Sequence, residues 1–268
     1  MVKTLCISYW YGRLGNNIIQ VKNALHIAFY YGYNVIIPTH QYFKYTHLKV
    51  SNTNESEPIE QIYDYASRGF YFVNDIDRSI NRECFSTNYD KVREVLLKLF
   101  TIDYRALDPL EDDELVIHIR SGDIISVLHD EYVIPPLSYY TKFIDRNNFK
   151  KIYILAEDTQ NLCIESLKKT YSNVEFELRS LKDDIELVLR ARNMMMSIGS
   201  FIPELIWVTK HTRNVIYPNY DGFVYRLKPL ENMVPNVKLT SIDLTEYYNE
   251  VKSANDTKES RMSRSLNR

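Results

Sequence analysis

Apolar positions along the chain fall into short runs bounded by turn residues and longer stretches of helical period. Thr4 to Trp10 has strand length, and Ile18, Ile19, Val21, Ala24, Leu25, Ala28 and Phe29 then recur at helical spacing. Asn34 to Pro38 and Phe70 to Val73 read as second and third strands. Val92, Val95, Leu96 and Leu99 mark an amphipathic helix over Asp90 to Phe100. The second half repeats the alternation. Strands are expected at Leu115 to Ile119, Lys151 to Ala156, Val174 to Leu178, the run from Met194, and Asn214 to Tyr217. Helices are expected at Ser138 to Asp145, Thr159 to Lys169, Asp183 to Arg192, and through Ile202, Leu205, Ile206 and Val208. This order predicts an α/β fold with parallel sheets and right-handed crossovers.

The acidic, Pro-containing stretch Asp108 to Glu114 separates the two halves and predicts a boundary, with domains over residues 1–108 and 111–229. Residues 230–251 are expected to pack at the seam, and 252–268, rich in Ser, Asn, Lys and Arg, to form a disordered tail. Gln41 to Asp64 is polar and Tyr-rich, which suggests a long loop or small helices beside a cleft.

Composition narrows the class. A net charge of -2 gives no overall basic field, so nucleic acid is not an expected partner. The 3 Cys are far apart and predict neither a disulfide framework nor a zinc site. No apolar run approaches a membrane span and no secretory signal precedes the first strand, so the expectation is a soluble, cytoplasmic chain. With 22 Tyr, aromatic surface that can stack on sugar rings is plentiful.

The candidate chemistry centres on Leu115-Val-Ile-His-Ile-Arg-Ser-Gly-Asp-Ile124. An apolar strand with His118 set into it ends in Arg120-Ser-Gly-Asp123. In open α/β sheets ligands bind outside the carboxyl ends of strands, and a guanidinium beside a Gly there suits a pair of phosphate oxygens. A salt-bridged arginine at a strand end would produce the same pattern. Two further turns resemble anion cradles: Tyr11-Gly-Arg-Leu-Gly-Asn-Asn17, with Arg13, Gly15 and Asn16, and Ser197-Ile-Gly-Ser-Phe201, with Ser197, Gly199, Ser200 and Phe201. Neither is a dinucleotide fingerprint or a Walker loop. Asp158 ends another strand. His129, Asp130 and Glu131 cluster after the central turn, and Asp75 and Asp77 have the spacing of a divalent-metal pair.

Three of these motifs, in this order, resemble the α1,2-, α1,6- and protein-O-fucosyltransferase superfamily. They are Gly12-Arg-Leu-Gly-Asn-Asn17, His118-Ile-Arg-Ser-Gly-Asp123, and the run from Asp183 to Ser200-Phe201, and the α1,2 branch is nearest. The likeness spans about Tyr11 to Trp207. It implies two facing Rossmann-like domains (the GT-B fold) and inverting transfer of L-fucose from GDP-β-L-fucose to an oligosaccharide or glycoconjugate, with no metal. By position it implies Arg120 on the β-phosphate, His118 by the guanine or ribose, and Asp158 on the base. Ser200 and Phe201 amides would cradle the pyrophosphate, with Arg13 and Asn16 reaching from the other domain. Ser121 stands where the family has a second Arg, and the Ser-rich run is reduced to Ser197-Ile-Gly-Ser200. Asp123, His129 and Glu131 are the candidate general bases. The alternatives are a rhamnosyl or other sugar donor, a metal-dependent GT-A transferase using Asp75 and Asp77, and a non-enzymatic glycan binder.

Overall fold

The computed structural model describes residues 2–50, 59–126, 133–220 and 237–253, with Ser263, Ser265 and Leu266. The chain forms two compact units, Met1–Asp103 and Tyr104–Arg268.

In the first unit, β1 (Val2–Cys6) leads through the Gly12 turn into α1 (Leu14–Tyr31). Then come β2 (Asn34–Ile36), β3 (His47–Leu48), β4 (Ile59–Tyr63) and α2 (Tyr89–Leu99). The sheet order is β3-β2-β1-β4, with β1 parallel to both β2 and β4 and β3 antiparallel at the edge. The helix α1 ends at Gly32, whose φ of 73° allows its N–H to bond the Ala28 carbonyl.

One strand lies elsewhere than its apolar pattern suggests. Phe70 to Val73 is not extended: Arg68, Gly69 and Phe70 all have positive φ (53°, 66° and 66°), and a 3-10 turn follows at Val73–Asp75. The strand is β4, inside the stretch expected to be loop. Its residues Ile59, Glu60, Gln61 and Tyr63 are exposed at the sheet edge, so it carries no apolar run to betray it. Phe70 is apolar for another reason, being a buried loop anchor only 2% exposed.

In the second unit, β5 (Glu114–His118), α3 (Asp123–Ser126), α4 (Leu137–Ile144) and β6 (Lys151–Leu155) come first. Then follow α5 (Leu162–Thr170), β7 (Val174–Phe176), α6 (Leu181–Arg190), β8 (Asn193–Met195) and α7 (Phe201–Leu205). The unit closes with β9 (Asn214–Asn219), β10 (Lys238–Asp243) and α8 (Thr245–Ser253). All six strands are parallel, in the order β10-β9-β8-β5-β6-β7. Leu115, Ile117, Ile152, Ile154, Tyr139 and Leu167 form its core, and Leu266 packs against it. Caps move the helix starts from their expected places. Ser180 Oγ accepts from Asp183 N (3.2 Å) and starts α6 at Leu181, while Asn161 Oδ1 accepts from Cys163 N (3.0 Å) and starts α5 at Leu162. Ser138 lies inside α4 and caps nothing; Pro136 occupies the N-cap position.

A buried amide organises the carboxyl end of the first sheet. Gln20, on α1 and fully buried, places Nε2 3.1 Å from the Tyr9 carbonyl, 3.0 Å from that of Arg68 and 3.1 Å from that of Gly69. Its Oε1 accepts from Tyr11 N at 2.9 Å. The loops after β1 and β4 are thus tied to one side chain. Gln20→Leu keeps the volume but strands these backbone groups, so a stability loss on the order of 3 kcal/mol is expected in urea unfolding. A loss within error would show that solvent replaces the amide.

Candidate functional site

Topology singles out one crevice in each unit. In the second sheet, β6 and β7 lie on one side of β5 and β8 on the other, so the crossover from β5 runs to one side and the crossover from β8 to the other. The switch point, where ligands bind in open α/β sheets, is therefore at the carboxyl ends of β5 and β8. The turns after β5, β6 and β8 meet there.

His118 ends β5, is 6% exposed, and lies with its ring centroid 6.1 Å from that of Phe201. Its Nδ1 is buried and makes no hydrogen bond to the described residues. Burial, and then repulsion from Arg120, push the imidazole down to about 3, so it is neutral at physiological pH.

Arg120 follows in the turn. Its Nη2 donates to Asp123 Oδ1 at 2.6 Å and its Nη1 to Glu157 Oε2 at 3.2 Å. The contact with Glu157 depends on Gly122. Its φ is 66°, and a Cβ there would sit 2.3 Å from Glu157 Oε1. Two carboxylates thus flank one guanidinium. The salt-bridged arginine at a strand end is what the structure contains, and an anion that used Arg120 would compete with two carboxylates already beside it.

Asp158 serves the turn in the same way. Its carboxylate accepts from Ser121 Oγ, from Gln160 N (2.8 Å) and from Gln160 Nε2 (2.7 Å). Burial raises its pKa, but the hydrogen bonds from Ser121, Gln160 and Gly122 outweigh that and hold it below the ordinary value. Asn161, fully buried, donates from Nδ2 to the Arg120 carbonyl at 3.0 Å. Sequence reasoning missed Glu157 and Asn161. The Glu157-Asp158 pair at a strand end was the available signal for the first, and a buried N-cap between β6 and α5 left none for the second.

The turn after β8 contributes less charge stabilisation than a long helix would. The helix α7 has five residues, Ser200 does not cap it with its side chain, and a macrodipole needs several aligned turns. Ser197 is fully buried, and its hydroxyl lies beside that of Tyr140 without reaching hydrogen-bond geometry. Gly199, at φ 107°, and Ser200 are partly exposed at the crevice side of the turn.

In the first unit, Arg13 occupies the N-cap position of α1 and is exposed. Asn16 folds back over Gly12, where a Cβ would lie 2.1 Å from its Nδ2. Gly15 is buried in the first helical turn. Asp77 Oδ1 accepts from Ser79 N at 2.7 Å, while Asp75 ends the 3-10 turn. Among the described residues no three His, Cys, Asp or Glu side chains group as metal ligands, and no helix is long and apolar enough to cross a membrane. His129 and Glu131 lie outside the described residues.

Neither a family model nor a curated protein sequence matches the chain. Solved structures do. The E. coli heptosyltransferase WaaC, solved with ADP-2-deoxy-2-fluoro heptose, is 9% identical with a TM-score of 0.52, over 94% of this chain and 98% of that one. POFUT1 in complex with GDP is 10% identical with a TM-score of 0.41, over 79% of this chain and 94% of that one. The architecture is α/β with parallel sheets, of the GT-B type.

The buried imidazoles set a pH dependence. His118 is held down to about 3, and His26 to about 4 by burial and then by Lys22. Both stay neutral in the fold, whereas the unfolded chain takes up protons near pH 6.5. Their stabilisation is complete above about pH 6.5 and is lost as pH falls towards these values. Asp184, raised to about 6 by burial, works in the opposite sense, but it is one group against two. The melting temperature should therefore fall from pH 7 to pH 4.5, and less steeply in His118→Gln. Parallel slopes in scanning calorimetry would contradict the buried neutral His118.

Proposed function

We propose that the chain is an inverting glycosyltransferase that moves L-fucose from GDP-β-L-fucose to a hydroxyl of a glycan acceptor without a metal ion. The observation that carries this reading is the β5/β8 switch point, where the neutral His118, whose Nδ1 has no hydrogen-bond partner among the described residues, adjoins Arg120 and the Gly199 turn. The GT-B type of fold and the ordered motifs support it.

In this reading the nucleoside lies over the switch point, with Nδ1 of His118 available to its ribose or base. The leaving diphosphate gains charge as the glycosidic bond breaks, and Arg120 with the backbone amides of Ser200 and Phe201 stabilises it. There the diphosphate competes with the two carboxylates that already hold Arg120. Glu157, at 3.2 Å, yields more readily than Asp123, at 2.6 Å. The resemblance assigns Arg13 and Asn16 to the donor phosphate and the reacting sugar. Attack from the far face of the sugar calls for a base, with Asp123, His129 and Glu131 as candidates.

The likeness to a heptosyltransferase solved with an ADP-linked sugar supports a second reading within the same class, a different nucleotide donor. A thermal-shift series decides between them: GDP-fucose should raise the melting temperature and ADP- or UDP-sugars should not. Transfer should survive EDTA.

Arg120→Ala should lower turnover roughly 10²–10³-fold. The fold should persist, because Asp123 and Glu157 are 55% and 39% exposed and such pairs contribute at most about 1 kcal/mol. Glu157→Gln should instead tighten donor binding about two- to fivefold, the scale of one exposed ion pair. Near wild-type transfer by folded Arg120→Ala would defeat this assignment.

A further inference from the structure

The first sheet has its own switch point. In the order β3-β2-β1-β4, the chain leaves β1 towards β2 and later returns to its other side as β4, with Cys6 opposite Tyr63. The loops that follow these two strands carry Tyr11 on one side and Tyr65, Arg68 and Phe72 on the other. Three observations bear on what they do there.

First, Arg68 is exposed and pre-oriented. Its guanidinium lies 4.7 Å from the Tyr11 ring centroid and 5.5 Å from that of Phe72, and Nη1 donates to the Tyr11 hydroxyl. Among the described residues no carboxylate pairs with it, in contrast to Arg120. Second, its backbone has a φ of 53°, in a region that non-glycine residues rarely adopt, and Gly69 and Phe70 follow with positive φ. Gln20 holds this turn from beneath through the Arg68 and Gly69 carbonyls. Third, the two rings that flank the cation belong to an aromatic cluster. Tyr11, Tyr71 and Phe72 pack at centroid distances of 4.6 to 5.8 Å, and earlier in the same loop Tyr65, 66% exposed, stacks on Tyr63 at 15°.

We propose that Arg68, Tyr11 and Phe72 form a second binding site, which takes a pyranose ring bearing an anionic group. The rings offer apolar faces to the C–H face of a sugar. The guanidinium, flat and fixed by stacking, offers its remaining N–H groups to a carboxylate or phosphate. The proposal rests on the sugar-transfer reading above and makes an acidic sugar the acceptor-side ligand.

The test uses the full chain and three probes: methyl β-D-glucuronide, glucose 6-phosphate and neutral methyl β-D-glucoside, followed by saturation-transfer NMR. At least one acidic probe should bind about tenfold more tightly than the neutral one, the scale of a charge-assisted hydrogen bond. Which of the two binds identifies carboxylate or phosphate. Arg68→Asn, a residue type that tolerates the left-handed backbone, should erase that preference without lowering the melting temperature. Phe72→Ala should weaken every probe. The proposal is overturned if the wild type binds none of the three, if it binds all three alike, or if the acidic preference survives Arg68→Asn. GDP-fucose is titrated in parallel. Acidic probes that bind while no nucleotide sugar does would leave this site standing and remove the transferase reading.

Discussion

The strand β5 is hydrogen-bonded in parallel on both sides, to β6 and to β8, and the chemistry of the second unit depends on this. A parallel pair cannot be closed by a hairpin, so each connection must cross over a face of the sheet. When the crossovers from two adjacent strands run in opposite directions, as from β5 and β8, no connection covers the crevice between their carboxyl ends. The turn holding Arg120, Ser121 and Gly122 stands in the resulting gap. Its neighbours are the turns after β6 and β8, which are far away in sequence. The first sheet repeats the arrangement with four strands, β1 taking the place of β5.

The two gaps handle charge differently. Arg120 is held by Asp123 and Glu157, and Gly122 leaves room for the Glu157 carboxylate. That arrangement orients the guanidinium and at the same time neutralises it, so an incoming diphosphate competes with groups already in place. Arg68 is oriented by aromatic stacking instead, and among the described residues no carboxylate pairs with it. A cation–π contact costs a ligand little to share, whereas a carboxylate repels and competes with an incoming anion.

Rigidity at these turns comes from buried amides. Gln20 and Asn161 each bond a backbone carbonyl of a residue that presents a guanidinium, namely Arg68 and Arg120. A buried amide left without partners is costly, so these bonds hold the loops to one conformation. They also allow the turn at Arg68 to keep three successive residues at positive φ.

The alternation of strands and helices, the parallel class of sheet and the motif turn at Arg120 were legible in the sequence, because side-chain period and turn chemistry are local properties. So was the amphipathic helix through Val92 and Leu99, whose buried face matches its pattern. The edge strand β4 was not: its exposed side chains carry no apolar signal, while the apolar Phe70 to Val73 serves loop anchoring instead. Ser197 reads as a phosphate ligand because it opens the Ser-Ile-Gly-Ser turn, yet it lies buried beside Tyr140. Whether Arg120 is paired, whether His118 is neutral and which residues flank Arg68 depend on groups tens of residues apart in the chain. Only the tertiary structure decides such matters, because pairing, desolvation and stacking are set by distance in space, which a one-dimensional pattern does not contain.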